Sequence, residues 1–450
     1  MSYIPNTSED QEAMLARLGL PSLEALLTPV PENVRLRRPL DLPTAMAEPD
    51  LKRLLNGMAA KNKNLDTTIS FLGAGTYDHA IPSVVPHLQS RSEFVTSYTP
   101  YQPEVSQGML QAIYEFQTMI CQITGLDIAN ASLYDGATAV VEAVLLAIGP
   151  GGRGEVVISQ GVDPQYRQVL HTYAHARGFS VKEVPVRDGV TSLEDLNEAV
   201  SATTAAVVIQ QPNFFGCVED MSAIEPIAHK GKAVFISNIT EPASLSLLAP
   251  PGEYNADIAV GEIMSFGNTM SYGGPALGFI ASKQKYMRLL PGRLVGQTVE
   301  EADSKQTGYV LTLQTREQHI RRERATSNIC TNQSLLAVGA TIYMAALGKQ
   351  GFRELGQLCL QKSHYAFRSI TSVPGYKAAF STPFFDEFVI QLPVPAPQLT
   401  ERLLQHDIIG GYDLSLVYPE MTNCMLFCVT ETRTKDDIDQ LVSVLKEVSA

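Results

Sequence analysis

The sequence predicts an α/β fold: a large domain built on a mainly parallel sheet, a small α+β domain after it and a helical arm before it. Three observations carry this. Between residues 67 and 325, short apolar and β-branched runs alternate with segments of helical periodicity, the pattern of a sheet covered by helices on both faces. After residue 326 the order changes to long helices and then strands interleaved with shorter helices. Before residue 67, prolines at 21, 29, 31, 39, 43 and 49 cut the chain into pieces too short to bury themselves. The expected organisation is therefore an arm over 1–66, a large domain over 67–325 and a C-terminal domain over 326–450.

In the arm, residues 8–11 read as a capping box, with Ser8 as N-cap and Gln11 reaching back. Met14, Leu15 and Leu18 follow at helical spacing. Leu36, Leu40, Leu42, Met46, Leu51 and Leu54 add more apolar surface than a free arm should expose, so the arm should lie across the main body or a partner. In the large domain, strands are expected over 156–159, 180–184, 205–210, 233–237, 258–260 and 276–280. Helices are expected over 109–123, from about 136 to 148, and over 164–177, where Pro164 suits a first turn. Two more follow over 192–200 and 222–230. In the tail, helices are expected over 326–347, 353–371, 398–405 and 435–448, with strands over 387–392 and 424–430. Ile438, Leu441, Val442 and Leu445 give the last helix one apolar face.

Composition excludes several classes. The chain has 450 residues, 45% of them hydrophobic and 18% charged, enough for a large core and unlike a disordered chain. Its formal net charge of -13 argues against nucleic acid, whose phosphates need a basic face. No apolar run is long enough for a membrane span, and residues 1–7 do not read as a signal peptide, so a cytoplasmic location is expected. The 6 cysteines form no CxxC pair. Cys424 and Cys428 would share one strand face and read as buried free thiols in a reducing compartment.

Few segments suggest chemistry on their own. Gly73, Ala74 and Gly75 lack the third glycine of a dinucleotide loop, and residues 149–154 lack the Lys-Ser/Thr ending of a phosphate loop and read as a turn. Residues 134–139 open a helix whose free N–H groups could hold a phosphate, although an ordinary cap explains them as well. His171 and His175 have metal-ligand spacing but no evident third ligand, so no metal is expected. The most unusual segment is the loop at 98–107. Pro100 and Pro103 fix its backbone, while Tyr98, Tyr101, Gln102, Glu104 and Gln107 project from it. Such a loop suits ligand orientation or a subunit contact.

Three segments carry a resemblance to a known family: residues 98–108 (YTPYQPEVSQG), 122–127 (QITGLD) and 315–331 (TREQHIRRERATSNICT). The chain resembles, over essentially its whole length, the glycine cleavage system P-protein, in the part that forms the alpha subunit where the enzyme is split in two. The resemblance implies the fold of a fold-type I pyridoxal-phosphate (PLP) transferase. It also implies an enzyme, glycine dehydrogenase (decarboxylating), that passes the aminomethyl group left after decarboxylation to the lipoyl arm of an H-protein. An intertwined heterotetramer with a beta subunit (alpha2beta2) is implied too. The family's cofactor-binding half needs a lysine that anchors PLP and an Asp beneath the ring nitrogen. Here Met264 and Ser265 fall where that half has His-Lys, Asn238 falls on the Asp, and no lysine lies between Lys232 and Lys283. The expected degenerate cofactor position is Asp135, Gly136, Asn238, Met264 and Ser265. No PLP should be attached to this chain, and the partner beta subunit should carry it. Tyr98, Tyr101, Gln102, Glu104 and Gln107 should reach across the interface, and Arg316 and His319 should help to shape the same mouth. Two alternatives stay open: a self-sufficient PLP enzyme using a displaced lysine such as Lys283, and a non-catalytic scaffold.

Overall fold

The computed structural model describes residues 5–149, 152–299 and 306–449, and the chain forms two compact units, residues 1–63 and 64–450. The readings made for Met1–Ile4, and for Pro150 and Gly151 of the glycine-rich turn, lie outside the described residues.

In the first unit, α1 (Ser8–Leu18) starts from a different cap than expected. Thr7, not Ser8, is the N-cap: the Asp10 N–H donates to its hydroxyl, and its own N–H donates to the Asp10 carboxylate. The sequence fits the box in both frames, and the charged carboxylate makes the stronger bond. Helix α2 (Glu48–Ala59) opens over Pro49. No residue of α1 or α2 is buried, and the arm leucines at 36, 40, 42, 51 and 54 are exposed, as is Met46.

The second unit begins with β1 (Ile69–Ser70), α3 (Gln107–Thr124), β2 (Ile128–Ala129), α4 (Gly136–Ile148), β3 (Glu155–Ser159) and α5 (Pro164–Arg177). It continues with β4 (Ser180–Val184), α6 (Leu193–Ala199), β5 (Thr204–Gln210), α7 (Met221–Lys230), β6 (Val234–Ile239), β7 (Ile258–Glu262) and β8 (Gly278–Ser282). These strands form a 7-stranded sheet in the order β2-β8-β7-β6-β5-β3-β4. Strands β4, β3, β5, β6 and β7 pair in parallel, and β8 runs antiparallel to both its neighbours. Strands β5 and β7 are buried along their whole length, which is why they read as unbroken apolar runs. Strand β6 extends two residues beyond the expected end, so Asn238 lies inside it and not after it.

Next comes a hairpin that the sequence did not suggest, β9 (Leu294–Val299) with β10 (Thr307–Thr312). Two glutamines of α3 hold it. The Gln117 amide bonds both backbone groups of Val295, and the Gln107 amide does the same to Tyr309. Two expected helices, 326–347 and 353–371, form α8 (Ser334–Thr371) with a break at Gly348 (φ 58°, ψ −176°). The start is later than expected because residues 326–333 are tied down elsewhere: the Asn332 amide and the Gln333 N–H both donate to the Ser132 hydroxyl. Before the break, Ala337, Ala340 and Tyr343 pack with Phe116, Ile120 and Phe266 of the large layer. Beyond it, Ala366 and Ile370 pack with Phe388, Phe427 and Leu441.

The chain ends with β11 (Lys377–Ala378), β12 (Glu387–Gln391), α9 (Ala396–Leu404), β13 (Ile408–Ile409), β14 (Tyr412–Asp413), β15 (Cys424–Cys428) and α10 (Lys435–Ser449). Strands β11, β12, β15 and β14 form an antiparallel sheet in that order. Strand β1 pairs in parallel with β13, and Phe71 enters the C-terminal core, so the chain just after the arm belongs to this layer. Cys424 and Cys428 are buried free thiols. Among the described residues no helix is long and apolar enough to cross a membrane.

Candidate functional site

The expected cofactor position lies where α4 begins, beyond the C-terminal ends of β6 and β7. A helix start offers unpaired N–H groups to an anion. Here the chain's own carboxylates take two of them, those of Gly136 and Thr138. Asp135 accepts from the Thr138 N–H at 2.8 Å and from the Thr138 hydroxyl at 2.9 Å. Glu262, at the end of β7, accepts from the Gly136 N–H at 3.1 Å and also from the N–H groups of Met264 and Leu277. Burial pushes the Glu262 carboxyl up to about 7 against these three backbone donors. Tyr166 fills the remaining space: a Cβ on Gly136 would stand 2.2 Å from its hydroxyl oxygen.

The rest of the position is equally closed. Asn238 donates to the Gln210 side-chain oxygen at 3.0 Å, while its own side-chain oxygen is buried without a partner. The Ser265 hydroxyl is likewise buried and unpartnered, and Met264 is buried beside it. No group here can anchor PLP as a lysine does, and two carboxylates bond N–H groups of the helix start that a phosphate would otherwise meet. The residues present do not fit that cofactor. Lys283 cannot substitute: it follows β8 at the opposite end of the sheet, where its ammonium bonds Asn255 and, at 3.2 Å, Asp257 at the start of β7. Sequence reasoning missed Glu262 and Tyr166, although an acid ending the apolar run 258–262 was a visible signal.

The loop at 98–107 presents a different surface. Tyr98 is 84% and Tyr101 53% exposed. With Thr96, Ser97, Thr99, Cys330 and Thr331 they line an open cleft of about 610 Å³, floored by Arg293. Arg293 is the residue that the sequence reading missed. Its guanidinium donates to the Tyr101 hydroxyl at 3.1 Å, to Asn332 Oδ1 at 2.9 Å and to the Cys330 carbonyl at 3.0 Å, and lies 5.2 Å from the centre of the Tyr101 ring. Gln102 and Glu104 are both exposed members of the same loop. Gln107 is turned away to the Tyr309 backbone and the Pro103 carbonyl, so its amide serves to hold the loop. Arg316 donates to the carbonyls of Leu313 and Gly292 and thereby supports the segment that carries Arg293. His319 lies 3.6 Å from Glu317 on the neighbouring turn and is not among the groups lining the cleft.

A third cluster joins the two layers of the body. His79 is buried between Glu431, 2.6 Å from Nδ1, and Glu241, 3.1 Å from Nε2. Burial alone would lower its pKa, but Glu241, Cys359 and Glu431 more than offset that and hold it well above the usual imidazole range. Burial raises Asp386 well above the usual carboxylate range, and it raises Glu387 likewise. His79, Cys359 and Glu431 place ligand-type atoms within 4.8 Å of one another. The 2.6 Å contact is a hydrogen bond, shorter than the spacing of two ligands on one metal ion, so the cluster is a buried ionic tie. Among the described residues no metal-type cluster includes His171 or His175, and His171 bonds Glu183 at 2.9 Å.

Comparison with known proteins adds identity to this geometry. A family model described as "Glycine cleavage system P-protein" matches residues 1–445. A probable glycine dehydrogenase (decarboxylating) subunit 1 of Moorella thermoacetica is 52% identical over 450 residues, covering 100% of both chains. A protein of the same description in Geobacillus thermodenitrificans is 51% identical, covering 98% of both. A crystal structure of glycine decarboxylase (P-protein) of the glycine cleavage system, in inhibitor-bound form, superposes with a TM-score of 0.89 at 43% identity, covering 100% of each chain. A sphingosine-1-phosphate lyase of Burkholderia pseudomallei shares the fold alone, with a TM-score of 0.64 at 13% identity and 92% of each chain covered.

Proposed function

The chain belongs to the glycine cleavage system P-protein family and works as a subunit of glycine dehydrogenase (decarboxylating), and on that premise we propose how it divides the labour with a partner. It holds no PLP of its own and completes, across an interface, an active site whose PLP sits on the beta subunit. The complex is an alpha2beta2 heterotetramer that decarboxylates glycine and hands the aminomethyl group to the lipoyl arm of an H-protein. The observation that carries this reading is the start of α4, where Asp135 and Glu262 occupy the N–H groups of Thr138 and Gly136, two of those that a cofactor phosphate would use. PLP, bound to the partner, supplies the electron sink for decarboxylation. This chain supplies shape and hydrogen-bonding groups. Pro100 and Pro103 preset the loop, so Tyr98 and Tyr101 are held at little further entropic cost and their rings exclude water from the mouth. Glu104 and Gln102 add polar groups at its rim.

The test is borohydride reduction of the reconstituted complex followed by peptide mass spectrometry. The expected result is a pyridoxyl-modified lysine in the partner subunit only. A pyridoxyl-lysine in this chain, at Lys283 or elsewhere, would sink the proposal.

A further inference from the structure

Arg293 is 4% exposed, yet all its hydrogen bonds among the described residues run to neutral acceptors: Thr331, Asn332, Tyr101 and the Cys330 carbonyl. Its Nε is buried with no partner among the described residues. A buried cation is normally matched by a carboxylate, because the low-dielectric interior solvates it poorly. Here the unmatched charge lies at the base of an open cleft of about 610 Å³. The direction of one bond matters further. Arg293 has only donors, so the Tyr101 oxygen accepts from it. The Tyr101 O–H then has no acceptor among the described residues and is left to donate into the cleft. The cleft thus offers a positive field and an aimed proton donor, the pair that recognises an anionic oxygen.

We propose that Arg293 is the positioning and charge-selecting residue of this cleft, fixing the Tyr101 phenol as a donor so that the site receives a carboxylate. The proposal rests on the reading that the loop at 98–107 faces the shared active site. The carboxylate has two possible sources, the amino-acid substrate or a side chain of the partner subunit, and the experiment separates them.

The readout is exchange of glycine's carboxyl carbon with bicarbonate in the reconstituted two-subunit complex, measured against two probes: acetate, which has only the carboxylate, and methylamine, which has only the amine. Arg293→Gln should raise the KM for glycine and the inhibition constant of acetate by about tenfold or more, and leave that of methylamine unchanged. Arg293→Lys restores the charge and should recover part of the acetate affinity. Tyr101→Phe should slow exchange by about tenfold or more, and combining it with Arg293→Gln should add little, because the two groups act as a unit. If Arg293→Gln instead weakens subunit association while the variant chain melts normally, the carboxylate is the partner's. Equal shifts for acetate and methylamine, or no shift in either with association intact, would overturn the proposal. Should Arg293→Gln fail to fold, Arg293→Lys and Tyr101→Phe carry the same comparison. Full activity after Tyr98→Phe combined with Tyr101→Phe removes the broader reading of the loop. Loss of activity there, with Arg293→Gln unaffected, removes the Arg293 assignment alone.

Discussion

Glu142 stands in the middle of α4, 3% exposed, in a helix of otherwise small and apolar residues. Burial, opposed in part by Ser327 and Arg177, pushes its carboxyl up from 4.5 to about 7. The folded chain therefore keeps a proton that the unfolded chain releases. Because the folded pKa is the higher one, this contribution to stability is complete below about 4.5 and is lost as pH rises to about 7. Glu142→Gln keeps the shape and cannot ionise. It should flatten that part of the stability profile, with a gain over the parent at pH 8 relative to pH 4.5 of up to about 3 kcal/mol. Urea midpoints at the two pH values measure it, and an equal effect at both would refute the assignment. Asn238, Met264 and Ser265 stand out in the sequence as single letters, because the family's cofactor-binding half has an aspartate and a His-Lys pair there. Arg293 was missed although a lone cation inside the run 289–295 is itself a signal. The tie of His79, Glu241 and Glu431 was not legible at all. Its members come from three distant segments that only the fold brings together.

At the scale of elements, the inner parallel strands β3, β5, β6 and β7 were read closely because burial on both faces leaves a largely apolar run, whereas β4 at the edge alternates. The hairpin β9–β10 escaped because its second strand is only half-buried and its first becomes exposed midway, which blurs any period. The division of the tail into two long helices was also readable, and the structure supplies its cause at Gly348. With φ 58° and ψ −176°, this residue occupies backbone space that is essentially glycine's own. A Cβ added there would touch nothing within 4 Å, so the penalty for Gly348→Ala lies in the backbone itself. The substitution should destabilise the chain by about 1–3 kcal/mol. Chemical denaturation tests this, and an unchanged midpoint would mean that the break does not depend on glycine.

At the scale of the whole molecule, the arm is the part whose sequence and structure ask for something else to cover it. Its leucines at 36, 40, 42, 51 and 54 remain exposed, an apolar content that a lone chain does not carry without use. We expect the arm to wrap the beta subunit, so deleting residues 1–45 should weaken association by at least tenfold. Sedimentation of the mixed subunits measures this, and unchanged sedimentation of the complex would show that the arm serves another surface. Proline spacing marks the arm in the sequence, and residues 1–63 form a compact unit of their own. The return of residues 69–71 to the C-terminal layer was not legible there, because a two-residue strand carries no pattern. That return governs how the protein can be born. Ile69 finds its partner Ile408 only after roughly 340 further residues have left the ribosome, about 17–70 s of synthesis at 5–20 residues per second. Phe71 and its neighbours must wait that long, uncovered, while the seven-stranded sheet assembles behind them. The C-terminal layer therefore closes last, and a nascent chain that stalls before residue 408 presents this segment to chaperones as an unfinished seam.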